Sequence, residues 1–358
     1  MSFAETYRSI LHRLSHEADG PIADWQVLRL PGNLPPWTDT DMTVSPGDAI
    51  TWLAQGRVVL SEELGLWGGP CFHLWARIGQ RGTIFKGTRE TFTFRAEEPG
   101  PLYLATYQGE WGTREGALAT PLEAYEPVTG AIEVALIRWK GSVEAGLARL
   151  RAAAPGDPLI EAELRRLASP VAKPRGWRYL WFLGDGDIFA ARSASGRESI
   201  AIHTHEDVGI LQKPVQMDLT PDTTLSWRWL VTQLPAREAE DTIPTHDYMS
   251  IAVEFENGLD LTYYWSAALP PGTVFTCPLP TWAPRETHMV VRSGADGLGQ
   301  WQHEQRNIYE DYRRALGEPP KRIVGVWLIA VSLFRHGEGV AEIADIALRD
   351  GGAELRVS

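Results

Sequence analysis

Cysteine is scarce in this sequence. The chain of 358 residues contains two cysteines, Cys71 and Cys277, and they lie far apart. A small secreted domain that is held together by disulfides carries more cysteines at closer spacings. We therefore exclude a disulfide-stabilised scaffold, and we expect both residues to be partly buried thiols.

Positive charge is also in short supply. The sequence has 34 Lys and Arg against 46 Asp and Glu, which gives a formal net charge of −12 at pH 7. A nucleic-acid partner requires a basic face to contact its phosphates. An anionic membrane surface is disfavoured for the same reason. We predict that the chain does not bind nucleic acid.

Long apolar runs are missing as well. The N-terminal segment mixes charges throughout and lacks the apolar run of about 7–15 residues that a signal peptide needs. The longest apolar run, Ile323–Phe334, is shorter than the roughly 20 residues that span a bilayer. We therefore expect no membrane insertion and a cytoplasmic location.

Tryptophan, by contrast, is abundant, with fifteen residues in the chain. Its large rigid ring provides a face on which a sugar ring can stack, and the same ring fills the cores of β-sandwiches. The abundance favours carbohydrate recognition as a hypothesis, although we expect most of these rings to lie in the cores.

The hydrophobic pattern is that of strands for most of the chain. Residues 3–16 predict one amphipathic helix, after which short alternating runs are separated by Gly, Pro, Asp and Asn. Two helices capped by Ser142 and Asp157 interrupt this pattern, and another is predicted over about Glu304–Leu316. No strand–helix–strand alternation indicates a parallel α/β sheet.

These patterns predict an all-β protein with two β-sandwich domains, one lectin-like and one jelly-roll-like, joined by a short helical hairpin and preceded by an N-terminal helix. The predicted segments are the N-terminal helix 1–20, the lectin-like sandwich 21–140, the helical linker 141–169 and the jelly-roll-like sandwich 170–358.

The first domain resembles the bacterial galactose-binding lectins of the PA-I type. The segments that carry the resemblance are VSPGDAITWLAQG (Val44–Gly56), LWGGP (Leu66–Pro70), LWARIGQRGTIFKGTRETFTF (Leu74–Phe94) and LYLATYQGEWGTREGAL (Leu102–Leu118). Their order and spacing match the family over about 95 residues. The resemblance implies a sandwich whose last loop binds calcium, which coordinates two sugar hydroxyls.

The sequence departs from these lectins at the calcium ligands. The family's loop aspartate corresponds to Gly109 or Glu110, and its paired asparagines correspond to Thr113 and Arg114. Calcium requires 6–8 oxygen ligands, and a guanidinium repels a divalent cation. We therefore expect no calcium site of the family's type. The same loop retains Tyr107 and Trp111, which could bind a polyol without metal.

The second domain resembles a bacterial domain family of unknown function with a jelly-roll sandwich like those of lectins and glucanases. The segments that carry this resemblance include LTYYWSAALPPGT (Leu261–Thr273), VVRSGADGLGQW (Val290–Trp301), RNIYEDYRRALGEPPKRIVGVWL (Arg306–Leu328) and EIADIAL (Glu342–Leu348). Members of that family often carry acidic residues where this chain has Phe334, Arg335 and His336. No chemistry is established for the family.

Motifs with a fixed catalytic spacing are absent. His203 and His205 share a strand face with Glu206 nearby and could hold a metal, but the spacing provides no third ligand. His246 next to Asp247 could form an acid–base pair, although adjacent strand residues face opposite ways. We predict no metal and no cofactor.

Two functions remain open from the sequence alone, beside a purely structural interaction module, which would have an exposed apolar patch instead of a cleft. The leading hypothesis is calcium-independent binding of a carbohydrate, polyol or other small-molecule ligand. The alternative is an enzyme of specialised metabolism, a cofactor-independent cyclase, lyase or hydrolase, that uses a Trp-lined cleft between the domains. The predicted ligand-binding residues are Tyr107, Glu110, Trp111, Arg114, His246, Tyr264, Trp301 and Arg335.

Overall fold

The computed structural model describes residues 1–194 and 196–358. The chain divides into two compact units. The first comprises Met1–Pro170 and Trp181–Gly186, and the second comprises Val171–Leu180 and Asp187–Ser358. Both are built mainly from antiparallel strands, which confirms the predicted all-β class and the N-terminal helix.

The first unit begins with a capped helix. The Ser2 hydroxyl accepts from the Glu5 backbone N–H while the Glu5 carboxylate accepts from the Ser2 N–H, a capping box. The helices of this unit are α1 (Phe3–His16), α2 (Pro70–His73), α3 (Val143–Ala153) and α4 (Pro158–Ala168), with a 3-10 turn at Leu122–Tyr125. Its strands are β1 (Ile22–Pro31), β2 (Thr38–Val44), β3 (Ala49–Ser61), β4 (Leu66–Gly68), β5 (Leu74–Ile78), β6 (Phe85–Lys86), β7 (Thr91–Arg95), β8 (Gly100–Thr106) and β9 (Thr129–Trp139).

Two sheets form the sandwich of the first unit. One has the order β1-β9-β3-β4, with β7 also paired to β3, and the other has the order β2-β8-β5-β6. Successive residues of a strand point to opposite faces. Ile50 and Trp52 of β3 therefore pack toward the four-stranded sheet, while Ala49 and Leu53 pack against α1, α3 and α4. Strand β3 thus separates two apolar layers.

The helical hairpin α3–α4 belongs to the first unit. We expected residues 141–169 to form a separate linker, and this assignment is corrected by the packing. Leu147, Leu150 and Ile160 lie in the same apolar cluster as α1 and the outer face of the first sheet. Residues 181–186, assigned from sequence to the second domain, also group with the first unit.

A buried carboxylate fixes the second helix of the hairpin to the sheet. Glu163 of α4 is fully buried and accepts hydrogen bonds from the hydroxyls of Thr91 (2.8 Å) and Thr93 (2.5 Å). The Arg166 guanidinium donates to both of its oxygens, at 2.9 and 2.6 Å. These four hydrogen bonds occupy the acceptor sites of both carboxylate oxygens. Removal of one partner would leave a buried group uncompensated, which is strongly destabilising.

The substitution Glu163→Gln is expected to destabilise the first unit by about 2–3 kcal/mol, because an amide replaces a carboxylate that accepts charged hydrogen bonds. Urea unfolding followed by circular dichroism measures this change. Glu161→Gln is the matched control, since Glu161 on the same helix faces Arg151 at 3.9 Å on the surface. Equal stabilities for the two variants would contradict this role of Glu163.

The second unit contains a seven-stranded and a six-stranded sheet. Its elements are β10 (Arg178–Tyr179), β11 (Phe189–Ala194), β12 (Arg197–His205), β13 (Val208–Asp218), β14 (Thr224–Gln233), a 3-10 turn (Ile243–Thr245), β15 (Met249–Phe255), β16 (Asp260–Ser266), β17 (Val274–Thr276), β18 (Glu286–Ser293), β19 (Trp301–Asn307), α5 (Ile308–Leu316), β20 (Arg322–Val331), β21 (Glu338–Asp350) and β22 (Ala353–Arg356). The helix predicted to begin near Glu304 begins only at Ile308. The preceding residues form β19, which pairs with β14.

The seven-stranded sheet, in the order β10-β13-β20-β15-β16-β18-β17, is buried on both faces at its centre. Leu261 and Tyr263 of β16 face the six-stranded sheet, in the order β11-β12-β21-β14-β19, and join its apolar core. Thr262 and Tyr264 point to the opposite face and are also fully buried. This opposite face carries polar side chains that water does not reach.

Across the described residues, we find no helix with the length and apolar character that crossing a membrane requires.

Candidate functional site

The loop after β8 holds four of the residues predicted to bind a ligand. The Trp111 ring is 3% exposed. It stacks on Tyr107 with ring centroids 3.9 Å apart and on Trp37 at 5.3 Å, and its edge meets Trp75 at 5.6 Å. The expectation that Trp111 offers an open stacking face is therefore corrected, since its faces are occupied by neighbouring rings.

The rest of this loop is also held by internal contacts. The hydroxyl of Tyr107, itself buried, donates to the backbone carbonyl of Glu110. The exposed Arg114 places its guanidinium 5.1 Å from the ring centroid of Trp181. Of the four predicted residues, Arg114 is the one whose side chain is exposed to solvent.

A cleft of about 350 Å³ lies elsewhere in the first unit. The cleft is lined by the aromatic rings of Phe85, Phe92 and Phe94 and by the charged residues Arg95 and Glu97. The volume falls at the lower end of the range for small-ligand pockets. None of the sequence-predicted residues lines this cleft, and the short strands around it gave no signal that would have identified it.

Trp301 lies on the surface of the second unit. It begins β19, which is an edge strand whose residues alternate between exposed and half-buried. The preceding turn contains Gly294, Gly297 and Gly299, each with a positive φ that a residue with a Cβ rarely adopts. This turn leads the chain into β19 with the Trp301 side chain on the outer face of the six-stranded sheet, 39% exposed.

Polar side chains surround this ring. The Arg228 guanidinium lies 5.0 Å from the centroid of the Trp301 ring and 3.3 Å from the carboxylate of Asp345. His303 is exposed and pairs across the strands with Arg228. Directly opposite residues share a face of the sheet. We call Arg228, Trp301, His303 and Asp345 the Trp301 face.

His246 and Tyr264, also predicted from the sequence, lie together in a different place. Both are buried on the outer side of the seven-stranded sheet, where each ring contacts the ring of His288. Other buried polar side chains complete this group, which we call the His288 cluster: His246, Tyr248, Asp260, Thr262, Tyr264, Cys277, Glu286 and His288.

Hydrogen bonds orient His246 and the thiol of the cluster. His246 Nδ1 lies 2.5 Å from the backbone carbonyl oxygen of Glu240, and its Nε2 lies 3.4 Å from Cys277 Sγ. His288 Nε2 is 3.4 Å from a Glu286 oxygen, but the contact lacks hydrogen-bond geometry. Among the described residues, neither ring nitrogen of His288 has a hydrogen-bond partner.

Two carboxyls of the cluster share one donor. The Thr262 hydroxyl lies 3.2 Å from an oxygen of Asp260 and 3.2 Å from an oxygen of Glu286, and Tyr248 donates to the same Glu286 oxygen at 3.0 Å. Burial raises the pKa of both carboxyls, and their proximity adds to the effect at Asp260. The two groups therefore favour their protonated forms near this sheet face.

The other ionisable groups of the cluster also favour neutral forms. Burial lowers the pKa of His246 to about 4 and that of His288 well below its usual value. Burial, together with the neighbouring Glu286, raises the pKa of the Cys277 thiol. A thiol that resists ionisation is a poor nucleophile, so a Cys–His catalytic pair is not supported here.

Arg335 is connected to His246 by Asp247, the residue that follows His246 in the chain. The Asp247 carboxylate accepts from the backbone N–H groups of Phe334 (2.9 Å) and Arg335 (2.6 Å), and the Arg335 guanidinium pairs with Glu238 at 2.8 Å. Burial raises the pKa of Asp247 to about 6 against the effect of those two donors. Arg335 therefore lies beside the His288 cluster. Trp301, by contrast, lies on the six-stranded sheet.

The histidine pair singled out in the sequence has ordinary partners. His203 and His205 are both exposed on β12, and His203 Nε2 lies 2.6 Å from Glu338. Cys277, Glu286 and His288 were not among the residues predicted to form a site. Cys277 lies just after β17, outside the strands. Alternating polar residues in β16 and β18 were the signal that could have found the others.

One family model matches about half of the chain. Residues 175–347 match the family model described as protein of unknown function (DUF3047). No curated protein matches the chain. The solved structures to which it is similar include lectins, carbohydrate-binding modules and glycan-degrading enzymes.

Three of these structures illustrate the range. The EclA N-terminal domain, a PllA-like lectin, is 18% identical with a TM-score of 0.25, over 32% of this chain and 95% of that one. The xyloglucanase domain of NopAA from Sinorhizobium fredii is 10% identical with a TM-score of 0.29, over 51% and 92%. The family 11 carbohydrate-binding module of cellulase Lic26A-Cel5E of Clostridium thermocellum is 10% identical with a TM-score of 0.24, over 50% and 85%.

The two tryptophans predicted to contact a ligand are expected to differ in their effect on stability. Trp111→Ala should destabilise the fold by about 3–5 kcal/mol, because it leaves a cavity among packed rings. Trp301→Ala should change the stability by less than about 0.5–1 kcal/mol, because the ring is on the surface. Urea unfolding followed by circular dichroism measures both. A large loss for Trp301→Ala, or none for Trp111→Ala, would contradict the described packing.

Proposed function

We propose that this protein binds a carbohydrate or polyol without calcium, through the Trp301 face of its second domain. The observation that supports this site is the exposure of one ring. All fifteen tryptophans lie in the described part of the chain, and Trp301, at 39%, is the one that is exposed. An exposed aromatic ring offers the apolar C–H face of a sugar a stacking partner.

The neighbours of Trp301 supply hydrogen-bonding groups for hydroxyls. Arg228 and His303 present N–H donors, and the Asp345 carboxylate is an acceptor. Arg228 is already oriented by Asp345 at 3.3 Å, so binding does not have to order a free side chain. The combination of one stacking face with few fixed polar groups is typical of sites for polar rings.

Calcium is not needed for this mode of binding. The carboxylate of the Trp301 face is paired with a guanidinium, which opposes a divalent cation at the same place. The loop of the first domain that resembles the calcium-binding loop of the PA-I-type lectins has Gly109 or Glu110, Thr113 and Arg114 where that family has its ligands. Hydrogen bonds and stacking therefore take the place of coordination in the proposal.

Glycan-array screening followed by calorimetric titration in buffer that contains EGTA tests this function. Trp301→Ala is expected to weaken binding about tenfold or more, which corresponds to at least ~1.4 kcal/mol, because the stacking face is lost. Trp301→Phe should retain part of the affinity. The matched control is Trp67→Ala, a half-buried tryptophan of the first unit that also lies under an arginine, Arg57, at 5.4 Å.

The outcomes separate the alternatives. Binding that requires calcium, or that is unchanged in Trp301→Ala, would contradict the proposal. Loss of binding in Phe94→Ala instead would place the ligand in the cleft of the first unit. Mass-spectrometric detection of a converted glycan would favour the alternative that the protein is an enzyme.

A further inference from the structure

We propose that the second domain binds one zinc ion within the His288 cluster, with His246, Cys277, His288 and Glu286 as its four ligands. This site is separate from the Trp301 face, and the proposal does not depend on carbohydrate binding. It replaces the expectation from sequence that the chain holds no metal.

The spacing of the ligand atoms is close to what zinc requires. Donor atoms of His246, Cys277 and His288 all lie within 4.8 Å of one another. Zinc bonds of 2.0–2.3 Å in a tetrahedron imply donor separations of roughly 3.3–3.8 Å. Cys277 Sγ and His246 Nε2 are already 3.4 Å apart. The widest pair has to approach by at most about 1 Å.

The imidazole of His246 has the orientation of a metal ligand. Its Nδ1 lies 2.5 Å from the carbonyl oxygen of Glu240, and a carbonyl accepts only from a protonated nitrogen. In the neutral ring, the Nε2 lone pair then points toward Cys277 Sγ. Metal-bound histidines are commonly held through the second nitrogen in this way.

The imidazole of His288 supplies the second, independent observation. The side chain is fully buried, and among the described residues neither of its nitrogens has a hydrogen-bond partner. Leaving buried polar atoms unsatisfied is unfavourable, and a metal bond would satisfy one of them. Phe275 stacks on the ring with centroids 4.9 Å apart and an interplanar angle of 10°. This contact limits rotation of the ring.

Glu286 lies beside His288 and is the proposed fourth ligand, and its carboxylate has to move toward the other three ligand atoms to bind the same ion. One of its oxygens lies 3.4 Å from His288 Nε2. That oxygen is also near the hydroxyls of Tyr248, at 3.0 Å, and Thr262, at 3.2 Å. Such donors orient a carboxylate that ligates a metal.

The charges of this ligand set balance those of the ion. On binding, Zn²⁺ replaces one proton on the Cys277 thiol and one on the Glu286 carboxyl, and both protons are released. The two anions then cancel the charge of the ion, so the buried site has no net charge. A thiolate and two imidazoles favour zinc over calcium or magnesium. Four protein ligands without solvent access indicate a structural site.

Cobalt titration of protein that has been dialysed against a chelator tests the site. Wild type is expected to take up one Co²⁺ per chain, with the intense visible bands of tetrahedral cobalt and a near-ultraviolet thiolate-to-cobalt band. Zn²⁺ should displace the cobalt. Cys277→Ser should abolish the thiolate band and weaken zinc binding by more than about 100-fold, because loss of an outer partner alone costs about 10–100-fold.

Cys71→Ser is the matched control, because Cys71 is a second buried cysteine that lies in the other unit. This variant should leave the spectrum unchanged. Zinc X-ray absorption of the wild-type protein does not depend on how the variants fold. It should show one sulfur and three nitrogen or oxygen neighbours. Absence of stoichiometric uptake by wild type, a zinc shell without sulfur, or a thiolate band that survives in Cys277→Ser would overturn the proposal.

Discussion

Exclusion of water from one face of the seven-stranded sheet is the constraint around which the second domain is organised. Asp260, Glu286 and His288 lie on that face and are fully buried or nearly so. A charged group in such an environment is costly unless it is paired, so each group has to be neutral or bound to a counter-charge. The Thr262 hydroxyl contacts both carboxyls, and burial raises the pKa of both, which favours their neutral forms. The proposed zinc ion would supply a counter-charge.

Burial also accounts for most of the tryptophans. Nine of the fifteen tryptophans are buried, so the abundance of this residue mainly reflects core packing. The proposed ligand site therefore depends on one exposed ring, Trp301, and on the polar side chains beside it. In the two proposals, the buried cluster holds a metal ion, while the outer face of the six-stranded sheet contacts the ligand.

Local patterns predicted much of the fold. Ser142 and Asp157 cap the two helices of the hairpin as expected, because a side-chain acceptor at the N-cap is a local feature. The short alternating runs indicated the β class, although they did not predict every strand, for example Val208–Asp218. Residues 304–307 were assigned to a helix because their polarity does not distinguish an exposed helix from an edge strand. In the structure these residues belong to strand β19, because they pair with β14.

The candidate site was harder to predict because it depends on contacts between distant segments. His246 and Tyr264 were identified, but nothing local showed that Cys277 and Glu286 lie beside them. Trp111 appeared suitable for stacking on a sugar, and only its packing between Tyr107 and Trp37 shows otherwise. Residue type and spacing identify the groups that can do chemistry, whereas tertiary structure decides which of them meet.

Anomalous diffraction at the zinc absorption edge, from crystals grown with zinc, tests the central claim about the buried face most directly. The proposed zinc site requires one anomalous peak per chain, bonded to Cys277 Sγ, Glu286 and nitrogens of His246 and His288. A map with zinc only on the surface, or with no peak in this cluster, would contradict it and leave the neutral, protonated cluster as the sole arrangement of that face.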